Sequence, residues 1–187
     1  NKPVLCTETG NPTTSTDDNS LWMPRITESA QARYAMRTHL FYFNKGISRT
    51  FHHELVDEHG NSYGNPARIG YDESNFGLCR NNWSNKWSFI GLKGLITLLK
   101  DPGNAFTPGS LDYALTGNTA NVHTTLLQKR DGRFYLVLWQ ASKSYNWDTK
   151  QDIYVPDVLV TLASTTTLSS VRGFVPLDTN ASLNNPY

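Results

Sequence analysis

Lys2-Pro3-Val4-Leu5-Cys6-Thr7-Glu8-Thr9-Gly10 is the stretch whose reading decides the fold. A short apolar run leaves Pro3, ends on a single carboxylate and stops at Gly10 and Pro12. That is the pattern of a buried parallel strand delivering one acidic side chain to the rim of a sheet. Residues two apart share a face, so Val4, Cys6 and Glu8 are expected to point the same way. With Val4 and Cys6 against a packed interior, Glu8 caps their column on rigid backbone and is partly desolvated. A nucleophilic or proton-transferring carboxylate needs such a position. The other reading of the same residues is an edge strand whose glutamate meets solvent.

Downstream, residues 11 to 20 are polar and turn-rich, a loop at the end where Glu8 emerges. Trp22 interrupts that polarity, either as a platform for a sugar ring or as a plug folded inward. Thr27-Glu28 then opens a helix, with Thr27 as N-cap and Glu28 at the positive end of the dipole. Ala32, Ala35, Met36, His39, Leu40 and Phe43 follow the spacing of one buried stripe, and Gly46 ends the helix. His39, lying within the stripe, reads as a packing residue.

Residues 47–56 are β-branched and aromatic and read as a second strand. Strand, helix and strand in this order form a βαβ unit, hence a parallel pair with a right-handed crossover. The second strand ends in His52, His53, Glu54, Asp57, Glu58 and His59. Both acid-bearing ends therefore open on one rim, where parallel α/β folds place their sites. Adjacent histidines on a strand face opposite ways, so this cluster is not read as a metal site. A second helix spans roughly 86 to 100 on Leu92, Leu95, Ile96 and Leu99, and stops at Asp101-Pro102-Gly103.

After Pro108-Gly109 the character changes. Residues 111–115, 122–128, 133–140, 153–162 and 168–175 all carry β-formers, with a tight hairpin at Lys129-Arg130-Asp131-Gly132. Five antiparallel-type strands at this spacing suggest a small β-sandwich. The expected architecture is thus α/β plus all-β, divided into residues 1–107 and 108–187.

Composition narrows the function classes. The 187 residues carry 17 basic and 16 acidic side chains for a net charge of +1, with the basic ones scattered. That leaves no electrostatic footprint for nucleic acid or an anionic membrane. No apolar run approaches the ~20 residues that span a bilayer. Five Trp, nine Tyr and eight Phe suit sugar stacking and a β-rich core equally. Cys6 and Cys79 make one bridge or two free thiols. The sequons at Asn82 and Asn180, with abundant Asn, Ser and Thr, lean toward a secreted protein.

Taken in order, these motifs resemble a known family. Lys-Pro-Val-x-x-Thr-Glu-Thr-Gly at 2–10, the capped helix ending in Gly46, and Thr-Phe-His-His-Glu-Leu-Val-Asp-Glu at 50–58 are similar to the last third of a clan A glycoside hydrolase. So are Asn-Phe-Gly-Leu at 75–78 and Lys-Trp-Ser-Phe-Ile-Gly-Leu-Lys-Gly-Leu-Ile-Thr-Leu-Leu-Lys-Asp at 86–101. Such enzymes are (β/α)8 barrels with an appended β-sandwich. The resemblance implies that this chain holds the last two βα units of the barrel and enters the sandwich at Leu111.

In that family the glutamate closing the seventh strand is the nucleophile of a retaining mechanism, and Glu8 matches it. The resemblance also implies His53 and Glu54 as residues lining the substrate site, a carbohydrate as substrate, and no cofactor or metal; Trp22, if its loop holds it outward, is the further substrate-binding residue expected. A retaining mechanism needs a second carboxyl about 5 Å from the nucleophile as acid/base. The family carries it in an Asn-Glu-Pro motif that does not occur here, nor does anything matching strands one to six. The resemblance therefore implies a fragment, either part of a larger enzyme or a processed chain whose partner is the missing N-terminal part of the barrel. His52-His53 stand where the family usually has an aromatic residue, a departure that puts stacking at that point in question while a histidine still offers a hydrogen bond to a sugar hydroxyl or a carboxylate. The rival expectation is a non-catalytic, lectin-like carbohydrate-binding protein built on barrel remnants, and a third is a purely structural role in a complex.

Overall fold

A computed structural model describes residues 2–13, 25–58 and 72–177. Trp22, His59 and the Asn180 sequon lie outside the described residues. The elements are β1 (Leu5–Thr9), α1 (Glu28–Asn44), β2 (Arg49–His52), a 3-10 turn (Asp72–Asn75), α2 (Trp87–Leu99), β3 (Tyr113–Gly117), β4 (Val122–Gln128), β5 (Phe134–Gln140), β6 (Tyr145–Asn146), β7 (Gln151–Asp152) and β8 (Val160–Ser164). The chain is a mixed helix-and-strand protein with small sheets.

The first three elements form the expected βαβ unit. β1 and β2 pair in parallel, Leu5 opposite Arg49 and Cys6 opposite Thr50, and α1 packs on β2. Thr27 starts α1 from extended backbone, its Oγ1 accepting from the Ala30 N–H at 3.0 Å. The same hydroxyl donates to Asp152 Oδ1. At the other end, Gly46 N–H donates to the Phe43 carbonyl at 2.9 Å and Ile47 N–H to the Tyr42 carbonyl at 3.0 Å. Gly46 sits at φ +78°, so this is a Schellman ending, which a Cβ at that position would strain.

The stripe on α1 is buried only in part. Ala30, Gln31, Ala32, Ala35 and Leu40 are buried, while Phe43 is 56% exposed. The N-terminal half of α1 is wrapped by neighbouring segments and its last turn is not.

Two compact units divide the described chain. The first holds residues up to Lys93 together with Lys143–Tyr154; the second holds Gly94–Ser142 and the residues from Val155 onward. The change from one unit to the other falls within α2, and residues 143–154 join the first unit. They join it through packing and polar contacts. Tyr145 lies in a core with Ile26, Ala30 and Tyr34. Ser144 N–H donates to Tyr34 Oη at 2.9 Å, and Arg37 Nη1 donates to Ser144 Oγ at 3.0 Å.

The second unit is built from antiparallel ladders, β3 with β8 and β4 with β5. β4 matches its expected span, and the turn after it closes with Gly132 N–H donating to the Lys129 carbonyl at 2.9 Å. Gly132 is at φ +85°, where glycine carries no steric penalty. Of the expected strand at 153–162 only its end is paired, within β8, and no strand forms at 168–175. Tyr113 Oη meets Thr124 Oγ1 at 3.5 Å, joining the two ladders.

Among the described residues all strands lie in two-stranded sheets, and no closed barrel is present. β1 has β2 as its one sheet neighbour there. Val4, Leu5 and Phe51 are 59%, 49% and 51% exposed. Among the described residues no further strand lies beside β1, so the packed interior expected next to Val4 is not formed by them. No helix among the described residues is long and apolar enough to cross a membrane.

Candidate functional site

The register of β1 against β2 slips where the acidic residue sits. Cys6 pairs with Thr50 and Thr9 with His52, so three steps along β1 match two along β2. Thr7 and Glu8 together oppose Phe51, as in a β-bulge. Strict alternation therefore ends at Cys6. Cys6 is half-buried whereas Glu8 is exposed, which corrects the expectation that Glu8 caps a desolvated column above Cys6. The Cys6 thiol donates instead to the Glu8 carbonyl at 3.3 Å.

Parallel pairing brings the other expected residues to the same end of the sheet. His53 N–H donates to the Thr9 carbonyl at 2.8 Å. The His53 ring packs against buried Phe76, centroids 5.2 Å apart. Glu54, half-buried, is clasped through its backbone: its N–H donates to the Phe76 carbonyl at 3.3 Å and its carbonyl accepts from Leu78 N–H at 3.0 Å. Gly10 lies so close to His53 that a Cβ would collide with the His53 carbonyl oxygen. Glu8, His53 and Glu54 thus share one rim. Trp22 falls outside the described residues.

Beneath the rim lies a buried polar network. Lys86 Nζ donates to Asp57 Oδ1 at 2.7 Å, to Thr13 Oγ1 at 2.8 Å and to the Asn75 carbonyl at 3.3 Å. Asp57 Oδ1 also accepts from Gly77 N–H at 2.8 Å. Burial pushes the Asp57 carboxyl above its ordinary range, while the ammonium and the Gly77 amide pull the other way. Beside it, Gln31 Nε2 donates to the Asn11 carbonyl at 2.9 Å and reaches those of Gly77 and Phe76 at 3.4 and 3.5 Å. Its Oε1 accepts from Ser88 Oγ at 2.7 Å. These contacts tie the segments following β1 and β2 to α1 and to the start of α2.

His52 and His53 face different surroundings: His52 stacks on His39, and the His53 ring meets Phe76 at a tilt of 59°. Among the described residues no group of three His, Cys, Asp or Glu side chains is placed to hold a metal ion. Cys6 and Cys79 are both free thiols, and burial raises the Cys79 thiol above its usual value. Among the described tryptophans, Trp83 is 71% exposed and Trp147 stands edge-on to Tyr145 at 5.0 Å.

Lys86, Gln31 and Thr13 are the polar residues that sequence reasoning passed over. Lys86 did carry a signal: it immediately precedes α2, and a cation at the positive end of a helix dipole is unfavourable without an anionic partner. Gln31 offered none, since glutamine is an ordinary residue on a helix. No protein-family model matches this sequence, and no curated protein matches it.

Proposed function

We propose that this chain is the C-terminal portion of a secreted retaining glycoside hydrolase, with Glu8 as nucleophile and His53 and Glu54 lining the sugar site. The observation that carries the reading is the parallel β1–β2 pairing, which sets an exposed carboxylate and the His53-Glu54 dipeptide at one sheet end. A bulge at a strand end re-aims a side chain, as sites require. In this mechanism Glu8 attacks the anomeric carbon while an acid, outside this sequence, protonates the departing oxygen. The glycosyl-enzyme ester is then hydrolysed by water that the same group deprotonates. General acid help of this kind is typically worth 10²–10⁴ in rate, so the 187-residue chain alone is expected to turn over substrate poorly. On this reading the first unit supplies the last two βα units of a barrel, and the antiparallel ladders belong to an appended sandwich.

The test is an intact-mass measurement on source material together with Glu8→Gln in the whole protein. A mass well above 21.0 kDa, with turnover abolished and folding intact in the variant, supports the assignment. Unchanged turnover eliminates it. A second reading, a non-catalytic carbohydrate-binding protein, rests on the exposure of Trp83 and Trp87 at 71% and 49%. It predicts sugar binding without hydrolysis, lost when these residues or Trp147 are replaced.

A further inference from the structure

His39 on α1 and His52 closing β2 lie nearly face to face, ring centroids 5.9 Å apart and planes 23° from parallel. His39 Nε2 and both ring nitrogens of His52 are shielded from solvent with no hydrogen-bond partner among the described residues. A neutral imidazole has one N–H donor and one acceptor to satisfy. An apolar pair would fill the same seam without leaving them unmade. Protonation aggravates the position, because the groups acting on His52 are cations or potential cations. They are His39 from α1, His53 from its own strand and Lys86 from the residue before α2. Glu54 follows two residues after His52 in the chain, and Asp57 is engaged by Lys86.

We propose that the His39–His52 stack is an acid-sensitive latch, whose protonation opens the packing of α1 on β2. The proposal is independent of any catalytic role. Burial lowers both imidazoles, His52 to about 4. A histidine held below its free value binds fewer protons folded than unfolded. Its contribution is therefore complete above the free value of 6.5 and is lost as pH falls from there toward about 4.

Amide hydrogen exchange on the 187-residue chain, corrected for intrinsic exchange rates, tests this. Between about pH 7 and about pH 4.5, protection in the second half of α1 should fall roughly fiftyfold or more. The His39→Phe/His52→Phe variant, which keeps two stacked rings without a titrating nitrogen, should hold its protection over that range. Equal loss in both proteins, or no loss in either, overturns the latch. Should the double variant fail to fold, the imidazole resonances of the native chain decide instead. Midpoints well below 6.5 support the proposal, and ordinary midpoints for both rings refute it.

Discussion

Lys86 Nζ lies 2.7 Å from Asp57 Oδ1, with the lysine side chain only 1% exposed. Removing one member of such a pair strands the other charge in a poorly solvated place. Lys86→Met is expected to cost about 3 kcal/mol in urea unfolding. Pairing it with Asp57→Leu should recover part of that loss, giving a clear coupling energy in a double-mutant cycle. The single variant also has a pH signature. Without its partner, the Asp57 carboxyl moves still further above its free value, so the folded state binds the extra proton more readily. The deficit of Lys86→Met should therefore shrink as pH falls through that range, and a deficit constant with pH would contradict the pairing.

Gln31 spends both ends of its amide inside the protein, donating to the Asn11 carbonyl and accepting from Ser88. Gln31→Leu keeps much of the volume but leaves that carbonyl and hydroxyl unpaired. A loss of about 2–3 kcal/mol is expected. Ser88→Ala, which orphans only the Gln31 oxygen, should cost less, and thermal or urea melts of the two variants check the order.

Glycine is required at Gly10 and at Gly46 for different reasons, and the two should separate on substitution. At Gly10 an added methyl runs into the His53 carbonyl, so Gly10→Ala must shift the strand end bearing Glu8. At Gly46 the space is open and the strain is that of φ +78° alone. Gly46→Ala is expected to cost about 1 kcal/mol, with Gly10→Ala well above it. Equal effects would mean that Gly10 does not abut His53.

The two thiols should differ in reactivity. Cys79 is buried and its thiol is raised by burial, whereas Cys6 is half-buried. Alkylation of the native chain with iodoacetamide near neutral pH should mark Cys6 well ahead of Cys79, as read by peptide mass. In denaturant the two rates should converge.

Local signals were legible where one residue type answers one backbone demand. Thr27 caps α1, Gly46 ends it and Gly132 completes the β4–β5 turn, because capping and left-handed backbone are properties of the residue itself. β4, with seven consecutive paired residues, has the length its sequence pattern predicts. The short β6–β7 pair falls where no strand is expected from sequence, and the run at 168–175, expected as a strand, stays unpaired. β-propensity describes a residue that suits a half-buried pleat, while pairing depends on a partner arriving from elsewhere in the chain.

The sequence by itself determined the βαβ order, the parallel sense of β1 and β2, and hence that Glu8 and His53 leave the sheet at one end. Only the tertiary structure decided how Glu8 is presented. The slip between Cys6 and Thr9 depends on how β2 lies alongside, and alternation along a single strand cannot encode it. The same holds for Lys86, Asp57, Thr13 and Gln31, which meet from distant segments. A buried polar group is tolerated only beside its partners, and those partners are a matter of folding rather than of neighbouring positions.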